Sequence, residues 1–319
     1  MSYSNLLVTG GCGFIGSNFI NHIFKKNKTI NIINIDALYY CASEENINKD
    51  IRENNRYTFI KGNLVSEDLI TFILEKYKID AVIHFAAQSH VDNSFHNSLQ
   101  YTKDNILATH TLLECSRKYN KLQKFVHVST DEVYGESMLE DNKKTEESIL
   151  CPTNPYAATK AGAELIAQSY YHSFKLPIII SRGNNVYGIN QYPEKLIPKF
   201  IKQLKENKKV TIQGDGSNVR AFLHVDDVCS AFELILEKGI IGEIYNIGSD
   251  MNSEFSVLEI AKLLIFLIKK NDKINYDDFI TYIEDRPFND KRYYISNQKL
   301  KDLGWSINVE FYEGIKTLI

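Results

Sequence analysis

The stretch Leu6-Leu7-Val8-Thr9-Gly10-Gly11-Cys12-Gly13-Phe14-Ile15-Gly16 decides the fold. Its three leading apolar residues read as a short buried strand, and a helix is expected over 16–24. Between them Gly10, Gly13 and Gly16 stand at G-x-x-G-x-x-G spacing, one residue wider at the first gap than the common dinucleotide fingerprint. Glycines there allow a tight turn and let backbone N–H groups approach a pyrophosphate at a helix N-terminus. A glycine trio alone is a weak signal. Its placement between a strand and a helix makes it a dinucleotide-loop candidate, with Phe14 and Ile15 included in the binding loop.

Outward from this loop, short apolar runs alternate with longer helical segments. Strands are expected at 30–35, 58–60, 81–85, 125–129 and 178–181, and helices at 67–76, 102–119 and 155–174. Alternation with continuous apolar strands predicts an α/β fold, a Rossmann-type doubly wound parallel sheet covered on both faces. The pattern loosens after Arg182. Gly214-Asp215-Gly216 marks a turn, and Pro193, Pro198 and Pro287 are expected to punctuate irregular segments. A smaller, interleaved C-terminal substrate-binding domain is therefore expected. The division reads as 1–182 for the dinucleotide domain, with about 219–247 returning to it, and 183–218 plus 248–319 for the second domain.

Length and composition set outer bounds. A chain of 319 residues suits one large domain or two intimately packed ones. A net charge of −3 argues neither for a nucleic-acid surface nor for a membrane surface, and neither partner is expected. The five cysteines (Cys12, Cys41, Cys115, Cys151, Cys229) show no metal-ligand spacing, so reduced thiols, no metal and a cytoplasmic location are expected. No secretory leader is expected, because 6–8 run directly into the glycine loop. The apolar run 263–268 is too short to span a bilayer.

Asp36 ends the second strand, 20 residues after Gly16. An acid there accepts hydrogen bonds from the adenosine ribose hydroxyls and repels a 2′-phosphate, which favours NAD over NADP. Tyr156 and Lys160 stand at i and i+4, on one helix face. A free tyrosine, with a pKa of about 10, is too weakly acidic to serve as a base near neutrality. A neighbouring ammonium favours the phenolate. Ser129 and Thr130 end the strand before this helix, and Asp131 and Glu132 follow at once. Adjacent carboxyl groups raise each other's pKa, and a bend after Thr130 is needed to bring both to one site.

Together, the glycine loop, Asp36, Ser129/Thr130 and Tyr156/Lys160 resemble the extended short-chain dehydrogenase/reductase superfamily over nearly the whole chain. The Thr130-Asp131-Glu132 motif resembles that of the dTDP-glucose 4,6-dehydratases. Sugar-nucleotide epimerases of the superfamily usually lack both acids, and related decarboxylases carry Ser in place of Asp131. The resemblance implies NAD as cofactor and catalytic roles for Thr130, Asp131, Glu132, Tyr156 and Lys160. Tyr156 takes the C4 hydroxyl proton as hydride leaves C4, and Lys160 holds the cofactor ribose. Glu132 takes the C5 proton, Asp131 protonates the departing C6 hydroxyl, and the hydride returns to C6. An acid and a base on neighbouring carbons need two carboxyl groups of different pKa.

The resemblance further implies cofactor contacts at Asn63, Leu64, Ala86, Ala87, Ser89, Asn105 and Ser129. It implies substrate contacts at His90, Asn185, Glu194, Lys195, Leu196, Ile197, Arg220, Asn246, Arg286 and Asp290, with the two arginines on the diphosphate. Two positions depart from the family pattern: Asn63 replaces an Asp, and Asn289 stands where His is frequent. Residues 36–43 look closer to eukaryotic-type members, including those acting on UDP-glucose, so thymine and uracil nucleotides both stay open. Helices 102–119 and 155–174 resemble those that pair across a two-fold axis, implying a homodimer. The expected function is an NDP-glucose 4,6-dehydratase in 6-deoxysugar synthesis of the rhamnose type. A UDP-sugar 4-epimerase is the first alternative. A non-catalytic NAD-binding module is the second, and the intact Asp131, Glu132, Tyr156 and Lys160 argue against it.

Overall fold

A strand that is apolar on both faces must be covered on both, and β1 (Asn5–Thr9) meets that demand at once: Leu6, Leu7 and Val8 are all fully buried. In the computed structural model of the chain, residues 3–138, 143–250, 253–271 and 273–319 are described. After β1 come α1 (Phe14–Lys26), β2 (Asn31–Asp36), α2 (Lys49–Arg52), β3 (Tyr57–Lys61), α3 (Glu67–Lys76) and β4 (Ala81–His84). Next are α4 (Val91–His96), α5 (Ser98–Tyr101), α6 (Ala108–Tyr119), β5 (Lys124–Thr130), α7 (Pro155–Phe174), β6 (Ile178–Gly183) and β7 (Asn185–Tyr187). The second half adds α8 (Leu196–Lys205), β8 (Val210–Gln213), β9 (Val219–His224), α9 (Val225–Lys238), β10 (Ile244–Ile247) and β11 (Glu254–Ser256). It ends with α10 (Val257–Lys269), β12 (Ile280–Ile283), α11 (Gln298–Asp302) and α12 (Phe311–Lys316).

Seven strands form one sheet in the order β10-β6-β5-β4-β1-β2-β3, every pair parallel. Alternate residues serve opposite layers. Leu6 and Val8 join the apolar cluster under α1 and α9, while Leu7 joins the one under α3, α6 and α7. Each such side chain contributes about 1.5–3 kcal/mol by leaving water. The strand order reverses between β1 and β4, so a crevice opens at the C-terminal ends of the strands, which is where ligands bind in such sheets.

The remaining strands form two small sheets, β11-β9-β7 and β12-β8, around a third cluster that includes Phe200, Leu264 and Phe311. Here three expectations need amendment. β9 pairs with β7 and β11, so the returning segment begins at α9 rather than near residue 219. Pro198 sits inside α8, in the first turn, where its missing N–H would have had no helical partner. The expected helix 102–119 opens with a π-helical stretch over Thr102–Leu107 before α6. The chain crosses back at its end: Leu300 and Trp305 pack with the α1/α9 layer, and Trp305 Nε1 donates to the Asp227 carbonyl at 3.1 Å.

A buried ion pair fastens the crevice floor. Arg182 on β6 and Glu164 on α7 are almost fully buried, and Arg182 Nε lies 3.1 and 3.2 Å from the two Glu164 carboxylate oxygens. Arg182 Nη1 also donates to the Tyr134 hydroxyl at 2.6 Å and to the Glu146 carbonyl at 3.0 Å. Tyr134 in turn donates to Asn246 Oδ1 at 2.8 Å, and Asn246 Nδ2 donates to the Lys144 carbonyl at 3.3 Å. Removing one partner strands a buried charge. Glu164→Ala is expected to lower the unfolding free energy by about 3–5 kcal/mol. Urea denaturation checks this, and a loss under about 1 kcal/mol would contradict the assigned role of the pair.

Candidate active site

The glycine loop follows β1 and touches the loop after β4. Gly10 has φ +68°, and a Cβ there would lie 2.6 Å from the Ala86 backbone. A Cβ on Gly16 would lie 2.4 Å from the Gly10 carbonyl oxygen, so this glycine lets α1 pack on the loop. A Cβ on Gly13 would meet only that same oxygen, at 3.3 Å, so it otherwise faces open space. Gly10, Gly13, Phe14, Ile15 and Gly16 all line the cleft, as do Asp36, Asn63, Leu64, Ala86, Ala87, Ser89 and Ser129. Asp36 Oδ2 accepts from Cys12 N at 2.9 Å and Oδ1 from Leu38 N at 2.8 Å. Burial raises the pKa of this carboxyl, and the two amides partly offset the rise. Each oxygen keeps a further lone pair for a ligand hydroxyl. Asn63 Nδ2 donates to the Tyr39 hydroxyl at 3.0 Å.

The bend required after Thr130 is present as a 3₁₀ turn over Asp131–Tyr134. Thr130 caps it, its hydroxyl accepting from Glu132 N at 3.3 Å. Thr130, Asp131, Glu132, Tyr156 and Lys160 all line the cleft together. Asn184 Nδ2 donates to Asp131 Oδ2 at 2.6 Å, and Asn154 Nδ2 donates to Glu132 Oε2 at 3.1 Å. Burial, and then the Glu132 charge, raise Asp131 to about 7. Burial also raises Glu132, with Asn154 opposing. One carboxyl therefore holds a proton near neutrality beside another.

Burial and then the Glu132 charge push the Tyr156 hydroxyl up, although a hydrogen bond with Thr130 favours the phenolate. The Lys160 ammonium is directed at the Val128 carbonyl, 2.6 Å away. Burial lowers Lys160 to about 8, and the Glu164 carboxylate opposes that shift.

Other expected contacts divide into groups. Asn185, Glu194 and Lys195 line the cleft, and Lys195 Nζ donates to the Ser89 carbonyl at 2.7 Å. His90 precedes α4, and burial together with the Lys195 charge lowers its pKa. Arg220 lies near enough to Asp131 and Glu132 to favour their charged forms, and Arg286 lies beside Arg220. Asp290 accepts from Thr153 Oγ1 at 2.7 Å and from the Tyr293 hydroxyl.

Four expected contacts are taken up elsewhere. Asn246 is fully buried between Tyr134 and Lys144, its amide consumed there. Ile197 is in the core of the second half, and Leu196 packs against that core. Asn105, in the π-helical stretch, binds both backbone groups of Gln88 and the Thr159 hydroxyl, so it shapes the cleft wall from behind.

Sequence reading missed Asn154, Asn184 and Tyr293. Asn154 is the N-cap of α7 as well as a Glu132 partner, and an Asn before Pro155 is a visible capping signal. The Tyr293 hydroxyl lies 3.4 Å from Glu132 Oε2, a contact made by the chain end with no local signal.

A model of the GDP-mannose 4,6 dehydratase family matches residues 7–318. The chain belongs to the nucleotide-sugar 4,6-dehydratase family. A dTDP-D-glucose 4,6-dehydratase of Dictyostelium discoideum is 48% identical, with 98% of this chain and 80% of that relative covered. A trifunctional UDP-glucose 4,6-dehydratase/3,5-epimerase/reductase of Arabidopsis thaliana is 46% identical over 98% of this chain, which spans 46% of that longer protein. Among solved structures, the dTDP-glucose 4,6-dehydratase of Bacillus anthracis in complex with NAD matches with TM-score 0.88 at 39% identity, covering 98% and 94% of the two chains.

For this 4,6-dehydratase family member, the raised pKa of Asp131 has a consequence for stability. The carboxyl titrates from its ordinary 3.8 when unfolded and from about 7 when folded. Between those values only the folded state keeps the proton, so burial of Asp131 costs stability as pH rises. Asp131→Asn cannot titrate. Relative to wild type, it should be about 2–3 kcal/mol more favourable at about pH 8 than at about pH 5. Equal denaturation differences at both pH values would remove the raised pKa.

Proposed function

We propose that this chain removes water from a nucleoside-diphosphate glucose, giving the 4-keto-6-deoxy sugar nucleotide. The observation that carries the reading is the capped turn that brings Asp131 and Glu132 into one buried site beside Thr130 and Tyr156.

NAD is the cofactor we propose. The cradle fits a dinucleotide: Gly10 and Gly16 draw three backbone segments together, and Gly13 leaves room for a pyrophosphate. Asp36 would take the adenosine ribose, and Lys160 the nicotinamide ribose. When bound, NAD supplies a hydride acceptor that gives the same hydride back.

The residues of the chain handle the protons. Tyr156 would take the proton of the C4 hydroxyl as a phenolate, the form that the Thr130 hydrogen bond favours and that an oxidised nicotinamide would favour further. Glu132, whose charged form Asn154 favours against the upward push of burial, takes the proton from C5 once C4 is a ketone. Asp131 keeps its proton near neutrality and gives it to the C6 hydroxyl, which leaves as water. Glu132 later returns its proton to C5. On this proposal Glu132 is the base and Asp131 the acid, so the two adjacent carboxyls need different pKa values.

Leu107 and Leu165 are half-exposed on the π-helical stretch and α7, which supports a homodimer through that face. The five cysteines are unpaired, which supports a reducing, cytoplasmic setting. Among the described residues no helix is long and apolar enough to cross a membrane.

Purified protein supplied with dTDP-glucose and UDP-glucose in turn should yield a product lighter by one water from at least one of them, detected by mass. A product of unchanged mass from both would mark an epimerase instead. In heavy water the wild type should place deuterium at C5, and Glu132→Gln should reduce this by about 100-fold or more. Full exchange in that variant would remove Glu132 as the base.

A further inference from the structure

Asn289 stands where the resemblance leads to histidine, and the reaction proposed above gives it no task. Its surroundings are nonetheless specific. Its Oδ1 accepts from Arg220 Nη2 at 3.0 Å and also from Arg286 Nη2. Its Nδ2 donates to Asp285 Oδ1 at 3.0 Å, so the oxygen faces two cations and the nitrogen an anion. The backbone is held as well: Asn218 Nδ2 donates to the carbonyls of Asn289 and Asp290, each at 3.1 Å.

The two guanidiniums come from distant segments. Arg220 is on β9, tied by Nη1 to the Val219 carbonyl at 2.8 Å, and its charge sits 5.2 Å from the centre of the Tyr293 ring. Arg286 reaches the large half through Nη1, 3.2 Å from Asp92 Oδ1, and Gln213 steadies the same carboxylate at 3.2 Å. The buried Nε of Arg286 has no partner among the described residues. Like charges repel, and burial together with the Arg286 charge makes Arg220 less basic than an ordinary arginine. An amide oxygen can hold both cations without cancelling either. A carboxylate in its place would neutralise one of them, and a neutral imidazole would accept through a single nitrogen.

We propose that Asn289 is a positioning residue that joins Arg220 and Arg286 into one two-guanidinium clamp for the diphosphate of the substrate. The inference rests on the nucleotide-sugar reading above. Paired guanidiniums at fixed spacing present several parallel donors, which suits two linked phosphates better than one. Asn289 itself touches no reacting atom, so its loss should act on binding rather than on chemistry.

Calorimetric titration of the full chain with UDP, dTDP and UMP tests this on wild type, Asn289→Ala and Asn289→Asp. Affinity for the diphosphates should fall about tenfold in Asn289→Ala and further in Asn289→Asp, while UMP stays within about twofold. KM for the sugar nucleotide should rise in parallel, with kcat within about twofold. Asn289 is only half-buried at the surface, and matching melting temperatures confirm that the variants are folded. Equal losses for UMP and UDP would reduce Asn289 to a general structural role and overturn the clamp. Unchanged UDP and dTDP affinity in both variants would also overturn it, leaving the substrate class intact. Failure of the wild type to bind any of the three nucleotides would instead remove the substrate class, and the clamp with it.

Discussion

Two adjacent carboxyl groups must share one dry site, and much of the structure answers that constraint. A regular strand would send Asp131 and Glu132 to opposite faces. The chain turns instead, and the turn is capped by the Thr130 hydroxyl. Each acid then meets its own amide, Asn184 for Asp131 and Asn154 for Glu132. Charge-assisted hydrogen bonds of this kind keep buried carboxyls tolerable. Behind the turn, Tyr134 is bonded by Arg182, which is paired with Glu164 on the helix that carries Tyr156 and Lys160. The two carboxyls and the tyrosine are thus referred to one buried ion pair.

The second half supplies what the sheet cannot. Asn185 follows β6, Arg220 lies on a strand of a small sheet, and Arg286 lies on the stretch after β12. Tyr293 and Asp290 bring the chain end against Glu132. The groups proposed to bind the substrate are thus gathered from several distant segments of the chain.

Much of this was legible in the sequence where the signal is local. The glycine loop, the strand alternation and the Tyr156/Lys160 spacing depend on neighbours within a few residues, and α3 and α7 begin and end where their patterns do. The need for a bend after Thr130 followed from the side-chain period of a strand. Tertiary contacts were not legible. Asn246 carries a polar amide that could serve a ligand, yet Tyr134 and Lys144 claim it. Ile197 stands two residues after a cleft-lining lysine, but the first turn of α8 directs its side chain to the core. The Tyr156 hydroxyl rises because burial and the Glu132 charge outweigh the Thr130 hydrogen bond, while Lys160 is bonded to the Val128 carbonyl, a balance that spacing does not encode.

The late return of the chain to the first half has a consequence for synthesis. The edge strand β10 completes the large sheet, and Leu300 and Trp305 complete the layer over α1 and α9. β10 emerges from the ribosome after α8, β8 and β9, and Leu300 and Trp305 only after α10 and β12 as well. The dinucleotide-binding half therefore cannot close its own core during translation when its first six strands are made. It waits, with apolar surface open, for a tail that arrives last, and domain-by-domain folding gives way to a single closing event.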